Sequence, residues 1–238
     1  TSHKIAQEVE GIDIIVDGHS HSQETTKINN TYIAQTGTKL ANIGKITIQV
    51  DDQNKVSACT TELIAESTYK ESYTNDAEVS ALYQQKMDEL APILNQKVAD
   101  LNVPVFAFYN GTAGTRTSRV EETPGGSMVA DAMVEEGQKL LTSIGKGDYP
   151  VVSLENGGGV RADLAGDTVT VGNILDVLPF GNMISIKEVT PAVLYDTLEN
   201  GYKSLALTTD GYIDTSAASG GFAQIGGMRC ELDVSKAA

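Results

Sequence analysis

The chain has 238 residues, with 32 acidic against 17 basic side chains and a formal net charge of −15. At roughly 100–200 residues per domain, this length predicts one or two domains. The acidic balance excludes a broad nucleic-acid surface, which needs a basic stripe to neutralise phosphates. No apolar run of about 18 residues occurs, so no membrane-spanning segment is predicted. Cys59 and Cys230 lie outside any metal or redox motif; we expect both to be buried and unpaired, with a disulfide as the alternative.

A buried strand is predicted near the start of the chain, where the apolar run at residues 12–16 precedes the sequence Asp-Gly-His-Ser-His. His19 and His21 would follow the strand at its carboxyl edge, where open α/β sheets commonly hold ligands. Two imidazoles one residue apart can reach two adjacent metal ions, although exposed loop histidines would show the same pattern. A catalytic metal usually takes about three protein ligands, so this pair cannot complete a site. His3 is expected on the surface of a preceding helix.

The strongest helix signal covers residues 75–94, where apolar side chains recur on one helical face. Asn75 and Glu78 form a plausible capping pair, and Pro92 should end or kink the helix. This helix is either a linker between two domains or a plain amphipathic helix of one domain. Strands are predicted before it at residues 32–35, 43–50 and 55–64, with a turn at residues 51–54.

The second half of the chain contains further helix and strand signals. Thr123 and Pro124 fit the start of a helix, as its cap and its first-turn residue. The predicted elements are an extended segment at 98–109, a helix at 128–141, a strand at 150–154, a helix at 191–202 and a strand at 228–232.

Three successive glycines follow the strand at 150–154, in the sequence Asn156-Gly-Gly-Gly-Val-Arg161. Glycines such as Gly158 let the backbone approach a ligand closely, and their amides can form an anion-binding concavity. Arg161 adds a planar, permanently charged fork, and Asn156 can both donate and accept hydrogen bonds. A flexible turn is the alternative interpretation.

Two further groups of residues could contact a ligand. Phe180 stands at a turn in the sequence Pro-Phe-Gly-Asn, where an exposed ring could stack on a nucleobase or, alternatively, a buried ring could plug the core. Arg116 and Arg119 precede a predicted helix N-terminus, a position that favours anions, although a solvated turn would also accommodate them.

In their order along the chain, these segments resemble the 5′-nucleotidase family, which joins a calcineurin-like metallophosphatase domain to a nucleotide-binding domain. The similar segments are residues 11–21, 119–133, 156–161, 178–182 and 219–228. The resemblance implies an α/β (α+β) fold. It divides the chain into the end of a metallophosphatase β-sandwich domain at 1–68, a linker helix at 69–97 and a mixed α/β nucleotide-binding domain, incomplete, at 98–238.

The resemblance also implies roles for the nucleotide-binding residues. Arg119 and Arg161 would contact the ribose and phosphate side of the nucleotide. Asn156 and Asn182 would hydrogen-bond the nucleoside, and Phe180 would form one wall of an aromatic sandwich around the base.

The metal site implied by the resemblance is incomplete in this sequence. His19 and His21 would each bind one of two divalent ions, zinc, manganese or similar, in the intact protein. The family's other metal ligands and its catalytic histidine are not found, and its second stacking aromatic would lie beyond Ala238. We therefore expect a fragment truncated at both ends. Arg116 is one position away from a second arginine of some relatives.

For the parent protein, the resemblance implies metal-dependent hydrolysis of nucleotide phosphomonoesters, with this fragment supplying nucleoside or nucleotide binding and expected to be inactive alone. The alternatives are a 2′,3′-cyclic nucleotide 2′-phosphodiesterase/3′-nucleotidase, a UDP-sugar hydrolase, or a non-catalytic nucleoside-binding module. The partner would be a small nucleotide rather than a nucleic acid polymer. The family also implies an extracellular, cell-surface or periplasmic location.

Overall fold

The computed structural model describes residues 2–106 and 117–235, which form a mixed α/β structure as predicted. The chain divides into two compact units, Thr1–Gln84 and Gln85–Ala238. Among the described residues, the helices are too short or too polar to cross a membrane.

The first unit is built on a small mixed sheet and a long hairpin. Strand β1 runs parallel to β3, which pairs with β2 in the antiparallel direction, and β4 pairs with β5. Ile33 of β3 is fully buried and Ala34 nearly so, because that strand is central in its sheet. The elements are α1 (Ser2–Glu8), β1 (Ile14–Val16), β2 (Gln23–Ile28), β3 (Thr31–Thr36), β4 (Asn42–Val50), β5 (Val56–Ala65) and α2 (Glu66–Ser72).

The structure corrects one detail of the first unit and confirms two others. The strand predicted to be buried at residues 12–16 is β1, but Val16 is 78% exposed because β1 is an edge strand of its sheet. His3 lies exposed on α1, as predicted, and pairs with Glu24. The turn at residues 51–54 is also confirmed, since Oδ1 of Asp51 accepts a hydrogen bond from the Gln53 amide at 2.8 Å.

Helix α3 (Ala77–Leu94) follows α2 and contains the boundary between the two units. Its cap differs from the prediction: Oδ1 of Asp76, rather than Asn75, accepts from the Val79 amide at 2.9 Å. The helix ends two residues after Pro92, so the proline is accommodated in the last turn. None of the side chains of α3 is buried.

The second unit packs helices against short antiparallel strand pairs. Strand β6 pairs with β8, and β7 pairs with β9. Its core contains Val129, Val160, Leu164, Val169 and Val177. The elements are β6 (Lys97–Asp100), α4 (Pro124–Ser143), β7 (Ser153–Asn156), β8 (Thr168–Thr170), α5 (Val171–Val177), α6 (Pro191–Tyr202) and β9 (Ala223–Gly226), with a 3-10 turn at Thr117–Arg119.

In the second unit the predictions are confirmed for α4 and α6, whereas α5 was not predicted and the last strand was predicted in the wrong place. The strand predicted at 150–154 is β7, which begins only at Ser153. The α4 helix begins at Pro124 with Thr123 as its cap, and α6 has the predicted bounds. The last strand is β9, whereas the predicted strand at 228–232 is irregular. Cys230 is exposed, contrary to expectation, while Cys59 is buried, and both thiols are free. Residues 107–109 of the predicted extended segment lie outside the described residues.

Candidate functional site

The loop that follows β1 carries both candidate metal ligands. His19 has a φ of 69° and His21 a φ of 61°, so two non-glycine residues in one short loop adopt the left-handed conformation. This conformation is uncommon for residues with a Cβ atom, and it clusters at functional sites. His19 is exposed and His21 is half-buried. The loop therefore presents both imidazoles at the carboxyl end of β1, as the sequence predicted.

Gln35, which the sequence analysis missed, holds this loop in place. Its side chain is almost fully buried, and its Oε1 accepts hydrogen bonds from Oγ of Ser20 at 2.8 Å and from the Ser22 amide at 2.9 Å. These two bonds fix the residues on either side of His21. The sequence offered no signal for this role, because a glutamine in a predicted strand looks the same whether it faces water or is buried.

Asp17 begins the same loop and is held as a carboxylate. Oγ of Ser2 donates to its Oδ2 at 2.6 Å, and the Gly18 amide donates to its Oδ1 at 2.8 Å. These donors, Ser2 first, hold the pKa of Asp17 below its usual value. The carboxylate is thus tied to α1 and to its own loop.

The two candidate metal ligands, His19 and His21, do not complete a metal site. Within residues 2–106 and 117–235, no three histidine, cysteine, aspartate or glutamate side chains are grouped to hold a metal ion. His19 and His21 have the right chemistry for zinc or manganese, but a catalytic ion usually needs about three protein ligands. The described residues can therefore contribute to such a site and cannot form it alone.

In the second unit, the three glycines close a tight turn after β7. The Gly157 amide donates to the Phe222 carbonyl at 2.7 Å, the Gly158 amide to the Gly220 carbonyl at 3.0 Å and the Gly159 amide to the Asn156 carbonyl at 2.7 Å. All three amides are engaged, so they do not form the anion-binding concavity that the motif suggested. The glycines instead permit close packing of two backbone segments.

Arg119 lies beside this turn. A Cβ atom built on Gly158 would lie 3.4 Å from Nη2 of Arg119, and one built on Gly220 would lie 3.7 Å from its Nη1. The guanidinium group therefore lies against two residues that have no side chain. Arg119 is the last residue of the 3-10 turn, and its carbonyl accepts from the Ser219 amide at 3.0 Å.

Arg161 approaches the same turn and carries an aromatic neighbour. Its Nη1 donates to the Gly158 carbonyl at 3.3 Å, and its guanidinium carbon lies 5.6 Å from the centre of the Phe180 ring. This distance is that of a cation–π contact. Phe180 is 58% exposed, so the ring does not plug the core. The structure thus brings Arg119, Gly158, Arg161 and Phe180 together.

The remaining predicted residues lie near this group in sequence. Asn156 is exposed at the end of β7, directly before the glycines, and Asn182 is exposed two residues after Phe180. Arg116 lies outside the described residues.

Two residues of this region were not predicted from the sequence. Gln224 of β9 is 1% exposed, and its side chain hydrogen-bonds the backbone on both sides of Arg119. Glu155 of β7 is half-buried against Gly159, and burial raises the pKa of its carboxyl above the usual value.

Known proteins resemble this chain in sequence and in fold. The family described as 5′-nucleotidase, C-terminal domain, matches residues 97–238. The trifunctional nucleotide phosphoesterase protein YfkN of Bacillus subtilis (strain 168) is 26% identical over 208 residues, which cover 85% of this chain and 13% of YfkN. The 5′-nucleotidase of Rattus norvegicus is 23% identical over 256 residues, which cover 98% of this chain and 41% of that enzyme.

Among solved structures, the crystal structure of the 5′-nucleotidase precursor from Thermus thermophilus matches with a TM-score of 0.64 and 21% sequence identity. The match covers 100% of this chain and 45% of that one, and at this identity it establishes the fold alone. The chain spans less than half of the length of each of these three relatives.

Proposed function

This chain belongs to the family of 5′-nucleotidase C-terminal domains, and on that premise we propose that its second unit binds the nucleoside part of a nucleotide. The observation that carries the proposal is that Arg119 and Arg161 both lie against Gly158 and that Phe180 lies against Arg161. Two permanent cations and an exposed ring at one backbone turn offer both parts of a nucleotide a partner, since phosphate attracts guanidinium groups and bases stack on rings.

Each side chain has a role in this proposal. Phe180 stacks on the base with the ring face opposite Arg161, because the guanidinium group occupies the other face. Arg119 and Arg161 contact the ribose and phosphate side, where their planar forks match hydroxyl and phosphate oxygens. Asn156 and Asn182, both exposed, hydrogen-bond the nucleoside.

For the intact protein we propose metal-dependent hydrolysis of a nucleotide phosphomonoester. Two divalent ions, when bound, supply an activated water and charge stabilisation at the phosphate. His19 and His21 each donate one imidazole nitrogen as a ligand, and their place directly after the carboxyl end of β1 supports that role. The second unit contributes orientation by holding the nucleoside. The family resemblance also favours a location outside the cytoplasm, at the cell surface or in the periplasm.

Isothermal titration of adenosine and AMP into this chain tests the binding function, with a phosphate-release assay alongside. We expect both ligands to bind and no phosphate to be released, with or without manganese or zinc. Phosphate release would contradict the proposal that this chain binds without catalysing hydrolysis. Failure to bind either ligand would contradict the binding function itself.

A substitution of the stacking ring sharpens that test. Phe180→Ala should weaken adenosine binding about tenfold, since base stacking contributes about 1–3 kcal/mol. Tyr149→Ala is the matched control, because Tyr149 is another exposed ring of the same unit and follows the C-terminal end of α4, which lies at Ser143. Equal losses in the two variants would refute the stacking role.

A second candidate activity, which the family resemblance implies, is hydrolysis of 2′,3′-cyclic nucleotides. Hydrolysis of UDP-sugars is a third. Comparison of a nucleoside 5′-monophosphate, a cyclic nucleotide and a UDP-sugar as substrates of the intact protein separates them by kcat/KM.

A further inference from the structure

Gln224 is a buried polar side chain whose hydrogen bonds all reach one segment of backbone. Its Nε2 donates to the Ser118 carbonyl at 2.9 Å and to the Glu121 carbonyl at 2.8 Å. Its Oε1 accepts from the Thr123 amide at 3.1 Å. Both donors of the amide are used, and the side chain is 1% exposed.

These bonds reach backbone groups on both sides of Arg119 in the sequence. The Ser118 carbonyl precedes it, the Glu121 carbonyl follows it by two residues, and Thr123 caps α4 just beyond. Strand pairing fixes the backbone of Gln224 itself, because β9 places it opposite Glu155 of β7. One side chain anchored in a strand therefore sets the path of the turn from which the Arg119 guanidinium extends.

The first turn of α4 packs closely against the amide of Gln224. A Cβ atom on Gly126 would lie 2.0 Å from Oε1 of Gln224, so the first turn of α4 accepts the amide only because residue 126 is glycine. On the opposite side of the turn, Oγ of Ser118 donates to the Gly157 carbonyl at 3.0 Å, which links the turn to the glycine segment.

We propose that Gln224 is a positioning residue for Arg119, holding its guanidinium where the phosphate side of the nucleotide binds. This inference rests on the proposed function, which assigns Arg119 to the ribose and phosphate side of the ligand, and it narrows that assignment, within this side, to the phosphate. Gln224 itself does not touch the nucleotide. Loss of its amide should therefore weaken the binding of AMP, which carries a phosphate, and spare that of adenosine, which does not.

The test uses Gln224→Met, which preserves side-chain length and removes all three hydrogen bonds. We expect the affinity for AMP to fall about tenfold and that for adenosine to change less than twofold, by titration calorimetry. Gln138→Met is the matched control, because Gln138 also donates to a backbone carbonyl, that of Gly147 at 2.8 Å, at the far end of α4. It should leave both affinities unchanged.

Two further measurements keep the inference testable if Gln224→Met does not fold or if the wild-type chain binds no nucleotide. Gly126→Ala keeps Gln224 and displaces its amide, and it should cause the same loss of affinity, confined to AMP.

In the ligand-free chain, the Nε–Hε resonance of Arg119 should shift in Gly126→Ala and not in Gln138→Met. An unshifted resonance, or equal losses of AMP and adenosine affinity, would overturn the positioning role. Absence of wild-type binding with a shifted resonance would refute the proposed function alone.

Discussion

Gly157 shows why one position in the candidate site must be glycine. A Cβ atom there would lie 1.7 Å from the Ser118 carbonyl oxygen and 2.6 Å from its carbon, and these backbone atoms cannot rotate away. Gly157→Ala should therefore lower the free energy of unfolding by about 1–3 kcal/mol or more, as overpacking does. Urea unfolding followed by circular dichroism measures the loss.

Gly221→Ala is the matched control for that substitution. The nearest atom to a Cβ there is Oγ of Ser219 at 3.6 Å, which is ordinary van der Waals contact. We expect its unfolding midpoint to stay close to that of the wild type. If the two alanine variants were equally stable, the close packing of Gly157 on the Thr117–Arg119 turn would be wrong.

Glu155 makes stability depend on pH. Burial raises the pKa of its carboxyl, so the folded state binds this proton more tightly than the unfolded state does. Once the group ionises, its charge destabilises the fold, and acidification below the ordinary value of 4.5 removes that penalty. Glu155→Gln should therefore be more stable than the wild type at pH 7 and equally stable at low pH.

The control for the pH experiment is Glu231→Gln, which removes the same charge from an exposed side chain. Urea midpoints at several pH values should separate the two variants at neutral pH. A constant difference between Glu155→Gln and wild type at every pH would show that the effect comes from packing rather than from ionisation.

At the residue scale, residues whose function follows from their side-chain type could be predicted from the sequence. Residues whose role depends on being buried could not. Arg161 and Phe180 stood out because a charge or a ring close to glycine is informative on its own, and Arg119 stood out because it precedes a predicted helix N-terminus. Gln224 and Gln35 did not, because a glutamine in a strand looks the same whether it faces water or bonds a loop. Only the fold shows that both are buried.

The cap of helix α4 is the element-scale feature most open to measurement. Oγ1 of Thr123 accepts from the Gly126 amide at 3.1 Å and is buried, so Thr123→Ala leaves that amide without its partner. The variant should lose about 1 kcal/mol of stability. In α6, Oγ1 of Thr190 accepts an exposed and longer cap bond from the Val193 amide, at 3.4 Å. Thr190→Ala should therefore lose less stability than Thr123→Ala. A greater loss for Thr190→Ala would contradict this ranking.

In the second unit, α4 and α6 were predicted better than the last strand for a physical reason. A cap and an apolar face are local, so α4 and α6 were located from neighbouring residues. A strand needs a partner, and β9 forms at Ala223–Gly226 because β7 pairs with it there. Polar and apolar side chains alternate more regularly at residues 228–232 than at residues 223–226. However, no strand among the described residues pairs with residues 228–232. Alternation therefore predicted the wrong segment.

At the scale of the whole molecule, α3 is the helix within which one compact unit ends and the other begins. None of its side chains is buried, so substitutions on it disturb no core. The family resemblance implies a linker helix here, and we propose that a domain rotation about it brings bound nucleotide to the metal ions of the intact protein. If α3 acts as a stiff linker, turnover should depend on its helical stability.

A paired substitution in the middle of α3 tests this role. The helix carrying Gln85→Gly with Lys86→Gly should be about 2 kcal/mol less stable than the same helix carrying alanine at both positions, since each glycine costs about 1 kcal/mol relative to alanine. The control is Gln85→Ala with Lys86→Ala, which removes the same contacts to Glu89 and keeps the helix. The two double variants therefore differ mainly in the stability of the helix. In the intact protein we expect kcat to change in the glycine pair and not in the alanine pair, because hinge changes alter turnover. In this chain, AMP affinity should be equal in both pairs. An unchanged kcat in the glycine pair would mean that α3 is a plain amphipathic helix rather than a linker on which turnover depends.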